Sequence, residues 1–425
     1  MNKTLKILFL FLITANLTFA QTGWFQQNSG GTAYYESVFF VNELTGWAAG
    51  GDIVSKTTNG GNNWLSTQLS GLGLYSIFFI NSLTGWAVSN QLVIKTTNGG
   101  NNWTNQTVPP NTRFLYSVYF VDEMTGWAAG DILPGLNQLA DSFDVIIKTT
   151  NGGNNWFSVY SNSIGPNFYS IFFIDALTGW VCGSWKVGKT INGGINWFFT
   201  PINIYATLRS IHFINALTGW TPSWGSDTVY KSTDGGISWI PIPIGFSGGW
   251  RSIRFTDSQS GWIVGDGGVI IKSTNGGMNW GVQTSGVNVK LKSVFFVNEN
   301  TGWIVGHNGI ILKTTDGGGS IVGIIPNNEV PKKFTLSQNY PNPFNPKTII
   351  EFQFPGKSSD INGSRFVILK VYEITGKEVA TLVNQKLNPG VYNVEFDGSG
   401  FSSGVYFYKL ESEGFSNTKK MILIR

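Results

Sequence analysis

The chain has 425 residues, 17 of them tryptophan, with 28 Lys+Arg against 24 Asp+Glu and one cysteine. This length exceeds one ordinary domain, and the lone Cys182 excludes an internal disulfide framework. Residues 21–319 hold 14 basic and 15 acidic residues, so the bulk of the chain lacks the positive excess that nucleic-acid binding requires.

In chain order, the first segment is MNKTLKILFLFLITANLTFA. Lys3 and Lys6 precede an apolar run to Ile13, and small residues lead to Ala20. This three-part pattern predicts a secretory signal peptide over residues 1–20, cleaved before Gln21. The run is short of the roughly 20 residues a membrane span needs. No later stretch is long and apolar enough, so no transmembrane segment is predicted in the mature chain, whose destination is extracellular.

Fourteen tryptophans then fall into two interleaved series. Trp47, Trp86, Trp127, Trp180, Trp220, Trp262 and Trp303 each follow Thr-Gly or Ser-Gly. Trp24, Trp64, Trp103, Trp156, Trp197, Trp239 and Trp280 form the other series. A period of about 40 residues signals a propeller or solenoid. The first full unit, Glu36 to Leu69, reads as four short strands at Ser37–Val41, Trp47–Gly50, Ile53–Thr57 and Trp64–Gln68. Asn/Gly turns separate them, β-branched and aromatic residues fill them, and no helical period occurs. The expectation is an all-β chain containing a seven-bladed β-propeller over residues 21–319. The segment GWFQQNSG from Gly23 matches NWGVQTSG from Asn279, whereas the last repeat stops at Ser320 without a second tryptophan. The N-terminal strand is therefore expected to complete the last blade and close the ring. Cys182, in the strand-like WVCG, is expected to be a small buried apolar residue.

The turn before each fourth strand recurs as KTTNGGNNW (Lys56–Trp64 and Lys95–Trp103) and KSTDGGISW (Lys231–Trp239). It resembles the Asp-box of bacterial neuraminidase-like (BNR) repeats, with Ser232, Asp234, Gly236 and Trp239 fitting in full and Asn replacing Asp in most copies. The side chain suits its own turn, glycine allows positive φ and tryptophan packs, so the box is read as structural. With the Gly-Trp pairs, these repeats are similar to the photosystem II stability and assembly factor family over roughly 300 residues. Nothing else in the chain suggests a photosynthetic role.

A linker spans 320–332, and at residue 333 the composition changes. YPNPFNP, TGKEV, GVYFYKL and KKMILIR occur in that order within residues 333–425, which resemble the type A sorting domain of the type IX secretion system. Alternation in Ile349–Phe354 and Val391–Phe396 predicts a small antiparallel β-sandwich. The resemblance implies recognition by the type IX machinery and passage through the outer membrane to the cell surface or medium.

Propeller topology sets the residue before each first strand at the channel mouth: Glu36, Tyr75, Tyr116, Tyr169, Arg209, Arg251 and Lys292. One arc is aromatic and the other basic. Loops between second and third strands share that face, and there lie Trp185, Trp224 and an insertion from Asp131 to Asp144. Trp250 directly precedes Arg251. Loops on a rigid scaffold commonly bind. The candidate ligand site is therefore Trp185, Trp224, Trp250, Arg209, Arg251, Tyr75, Tyr116, Tyr169 and Lys292. Aromatic faces suit sugars or a protein partner, and arginines, with Arg254 as a further candidate, suit carboxylates. The alternative is packing, with tryptophans shielding gaps between blades.

The natural enzyme hypothesis is an extracellular glycoside hydrolase, which needs two carboxylates flanking one bond. Asp131, Asp141, Asp144, Asp227 and Asp266 occupy suitable loops without a spacing that singles out a pair. The neuraminidase Phe/Tyr-Arg-Ile-Pro motif is absent. With two histidines, His212 and His307, and one cysteine, no metal or cofactor site is read. GDGG at Gly265–Gly268 reads as a tight turn. The reading is a secreted binding module for an extracellular polysaccharide or surface protein.

Overall fold

A computed structural model describes residues 22–132, 143–162, 167–203, 205–245, 248–319, 321–325, 333–355, 365–387 and 390–425. The expected signal peptide, Asp141 and most of the Asp131–Asp144 insertion lie outside them. The described chain is all-β save one 3-10 turn, Asp266–Gly268, which is the tight turn expected at GDGG.

Each repeat folds into a four-stranded antiparallel meander. The first comprises Ser37–Phe40, Gly46–Gly50, Ile53–Thr57 and Leu65–Gln68, within a residue of the sequence expectation. In the fifth repeat the innermost strand is split into Thr207–Leu208 and His212–Phe213. The seventh draws only three strands from its own repeat. Its fourth partner is Phe25–Gln26, with Phe25 opposite Lys313 and Gln26 opposite Leu312.

The Gly-Trp pair builds the junctions between sheets. Glycine at 46, 85, 126, 179, 219, 261 and 302 lies flat against the phenylalanine ending the same sheet's first strand, where any Cβ would overlap the ring. The other face of that phenylalanine stacks on the tryptophan of the preceding sheet. Trp47 stacks on Phe79 at 3.5 Å, Trp180 on Phe213 at 3.6 Å, and Trp303 returns to Phe40 at 3.5 Å. Each stacked indole N–H donates across the junction to a glycine carbonyl of the next box, as Trp47 to Gly99 at 3.0 Å and Trp303 to Gly60 at 3.2 Å. The box tryptophans meet the same phenylalanines edge-on, Trp64 on Phe40 and Trp24 on Phe296. Trp24 thus stands where the seventh box lacks a tryptophan.

The boxes are turns. Thr57 Oγ1 accepts from Gly61 N at 2.9 Å and donates to Asn59 Oδ1, which accepts from Asn63 N. Gly60 and Gly61 have φ of 69° and 95°, a region costly to residues with a Cβ. The polar atoms are consumed within the turn, in line with the structural reading.

Cys182 is fully buried, and burial pushes its thiol pKa up. The C-terminal unit packs two antiparallel sheets on a core that includes Phe352, Phe354, Leu369, Tyr392, Tyr408 and Met421. One of its strands, Gly390–Asp397, pairs with linker strand Val322–Ile325, which pairs in turn with Gly281–Gln283 of the sixth repeat.

Trp262 is buried between Phe296 and the Gly317 carbonyl. Trp262→Ala should lower the unfolding free energy by about 3–5 kcal/mol, the usual cost of emptying an aromatic core site. Exposed Leu65→Ser should change it by less than about 0.5 kcal/mol. Urea titrations of the two variants check both values.

Candidate functional site

The seven residues expected at the channel mouth stand at the start of the innermost strands, and five of the seven strands carry a register irregularity or break beside them, as between Trp250 and Ser252. Tyr75 and Tyr116 have ring centroids 5.3 Å apart, and Tyr116 and Tyr169 are 5.4 Å apart. The Arg209 guanidinium lies 4.8 Å from the Tyr169 centroid and 5.1 Å from that of Trp224. Arg251 lies 5.5 Å from Trp224 on its other neighbour and forks onto Asp266, Nε to Oδ1 at 3.0 Å and an Nη to Oδ2 at 2.9 Å. Lys292 pairs with Glu36 at 2.8 Å, and His307 approaches the same carboxylate at 3.5 Å. The predicted aromatic and basic arcs therefore join through Trp224 into one surface.

The three tryptophans outside the repeat separate. Trp185 and Trp224 are 39% and 38% exposed, and Trp250 is 0% exposed. Trp250 donates its indole N–H to Ser226 O at 3.0 Å. It packs with Ile244 and Ile253 and so supports the mouth from beneath without a face to offer a ligand. It holds the place of Leu74, Leu115, Phe168, Leu208 and Leu291 in other repeats, all buried just before the residue expected at the mouth. Trp185 holds φ of 55° and hydrogen-bonds through its backbone to Ala206 and Ile202. It stays beside the entry to the fifth repeat, with no ring or cation contact to the arginines among the described residues. Asp266 was legible only as one of several loop carboxylates. The pairing of Trp250 with Gly265 across the hairpin is what sets it beside Arg251.

Arg209 is the chemically distinctive member. Its Nε is buried without a hydrogen-bond acceptor, and it forms no ion pair among the described residues. Burial and the neighbouring Arg251 charge lower its pKa. Burial likewise lowers Lys292, with Arg251 and Arg209 adding repulsion against the pull of Glu36. Tyr116 and Tyr75 are raised, chiefly by burial, so both phenols are neutral donors at physiological pH. For Asp266 burial favours the neutral acid, but the Arg251 bonds and charge overcome it and the pKa falls. An anion arriving here would relieve the repulsion between Arg209 and Arg251.

Among the predicted carboxylates, Asp131 and Asp144 sit directly opposite each other on neighbouring strands. Both are buried. Asp131 accepts from Phe114 N at 3.0 Å, and Asp144 pairs with Lys186 of the next sheet at 2.6 Å. Burial raises Asp144 to about 6 against the pull of Lys186. Asp131 is held within its own sheet and Asp144 by an ion pair to the next one. Asp227 is exposed and accepts from its neighbour Thr228. No group of three or more metal-ligating residues occurs among the described residues.

Residues 338–424 match the family model described as secretion system C-terminal sorting domain. The tail is a sorting domain. It directs the protein by type IX export to the cell surface or extracellular space, and no described helix is long and apolar enough to cross a membrane. Residues 241–339, covering the final repeats and linker, match the model described as photosynthesis system II assembly factor YCF48. Solved structures agree on the propeller-like fold. YCF48 from Cyanidioschyzon merolae is 18% identical, with TM-score 0.57, over 69% of this chain and 98% of that one. Virginiamycin B lyase from Staphylococcus aureus is 13% identical, with TM-score 0.57, over 69% and 99%. PorZ, a surface component of the type IX secretion system of Porphyromonas gingivalis, is 13% identical, with TM-score 0.51, over 93% and 60%. No curated protein matches the sequence.

The Asp144–Lys186 pair yields a test. Lys186→Met strands a buried carboxylate and should cost about 3–5 kcal/mol at neutral pH, whereas Asp144→Asn with Lys186→Met should recover most of it. A carboxyl raised from 3.8 to about 6 on folding binds protons in the native state first, so its contribution to stability falls as pH rises through that window. Urea titrations at pH 4.5 and 7.5 should show that downward slope in the parent relative to Asp144→Asn.

Proposed function

We propose that this protein is an exported binding module: a signal peptide at 1–20, a seven-bladed β-propeller at 21–319 sealed by its N-terminal strand, a linker at 320–332 and the sorting domain at 333–425. The return of Trp303 to Phe40 and Gly60, and the pairing of Phe25–Gln26 with the seventh sheet, support the closed ring. The proposed ligand is an acidic extracellular polysaccharide held at the channel mouth by Arg209, Arg251 and Trp224, with Tyr75, Tyr116 and Tyr169 forming the adjoining platform and Lys292 the basic flank.

The observation that carries this reading is the unpaired, partly buried Arg209 guanidinium lying over two aromatic rings. A uronic acid presents a carboxylate for such a fork and an apolar ring face for such a platform. An acidic peptide offers the first without the second. It is the second reading because a YCF48 of similar fold was solved bound to D1 peptide. A hydrolase reading has less support, since Asp131 and Asp144 are buried and paired within the fold.

The test is calorimetry of the purified chain against uronic-acid oligosaccharides, their neutral counterparts and acidic peptides. Trp224→Ala and Arg209→Gln should each weaken uronate binding by about tenfold or more, the scale of one charge-assisted contact, while Trp185→Ala has a smaller effect. Unchanged affinity in both variants with unchanged melting would reject the site. Preference for the peptides would select the second reading.

A further inference from the structure

The opposite end of the innermost strands carries a second concave surface. A funnel of about 610 Å³ opens there, its floor built from Phe39, Phe78 and Tyr119 and its rim including Asp122 and Asp175. The floor rings contact one another, Phe39 to Phe78 at 4.7 Å and Phe78 to Tyr119 at 5.0 Å between centroids. Arg254 is buried over Phe295 and near enough to Tyr119 for their charges to interact, but it does not line the funnel.

The surrounding turns join first to second strands. In each repeat one Asn or Asp accepts the backbone N–H groups two and three residues ahead, as Asn42, Asn81, Asp122 and Asp175 do at 2.6–2.9 Å. The turn is satisfied equally by an amide or a carboxylate, so its geometry does not call for negative charge at 122 or 175. Glu123 follows Asp122 and is exposed, and these turns contain no lysine or arginine. The lysines of the adjacent boxes are half-buried over tryptophan rings, and Lys148 and Lys231 are held by glycine carbonyls. Asp122, Glu123 and Asp175 are exposed, whereas the lysines near them, with Lys95 close to Glu123, are partly buried. Leu44, Leu83, Met124, Leu177 and Leu217 stand on successive turns, each more than half exposed. One aliphatic side chain at the same place in five turns makes an extended apolar rim wider than the funnel itself.

We propose that this face docks a basic segment of a partner protein, one lysine or arginine entering the funnel between Asp122 and Asp175 above the aromatic floor and flanking aliphatic residues meeting the leucine rim. Aromatic faces and carboxylates both attract a cation, and the apolar rim favours a peptide over a small cation. The surface is separate from the channel mouth around Arg209.

The experiment is selection of a random dodecapeptide library on the full chain, followed by affinity measurement of the enriched peptides by fluorescence anisotropy. The expected result is enrichment of Lys or Arg flanked by aliphatic residues, with affinity falling about tenfold or more in the Asp122→Asn, Asp175→Asn double variant, as loss of two complementary charges should produce. Asn already occupies the equivalent place in other turns, so the variant should melt with the parent. Leu83→Ser with Leu177→Ser should weaken the same peptides, and Trp224→Ala on the other face should not. No enrichment of basic-aliphatic peptides, equal binding by the double carboxylate variant, or equal binding by lysine-only peptides would overturn the proposal.

Discussion

Every junction between neighbouring sheets rests on one phenylalanine held between two tryptophans. The ring lies against a glycine of its own sheet, stacks on the indole of the preceding sheet and takes an edge contact from a box tryptophan. Neither glycine nor the stacked indole is exchangeable at fixed geometry, because the ring fills the space a Cβ would need and the indole N–H must reach a box carbonyl. The same contact joins seventh sheet to first, with Trp303 stacked on Phe40 and Trp64 edge-on, while at the junction of the sixth and seventh sheets Trp24, from the chain's other end, supplies the edge contact on Phe296. Burial of these large apolar surfaces outweighs what each short strand could contribute alone.

That rigidity frees the loops and strand ends. At one channel mouth, cations that a core would never tolerate are kept apart from full neutralisation: Arg251 has Asp266, Lys292 has Glu36, and Arg209 has only aromatic faces. The asymmetry matters because an unsatisfied, partly buried guanidinium costs free energy that a ligand can recover. At the other end of these strands Phe39, Phe78 and Tyr119 line a second concave surface. The two ends of the innermost strands thereby differ in chemistry, basic and aromatic at one, acidic and apolar at the other.

Export fits this architecture. The junctions rest on aromatic stacking and internal hydrogen bonds, and the single thiol is buried, which raises its pKa. The tail has its own two-sheet core. Strand Val322–Ile325 nonetheless links it by backbone hydrogen bonds to the sixth repeat.

The repeat, the four-strand meander and the sorting tail were legible in the sequence because each is written as local spacing: glycine before tryptophan, polar residue and paired glycines in the boxes, period-two strands near the C-terminus. What only the tertiary structure decided was which of the expected mouth residues meet. Trp224 joined the two arcs because it lies between Arg209 and Arg251, while Trp250 packs inward at the buried position that opens each innermost strand. Asp144 found Lys186 across a junction 42 residues away, and Asp131 and Asp144 came into register across an insertion. Such pairings depend on contacts between sheets, which no local pattern encodes.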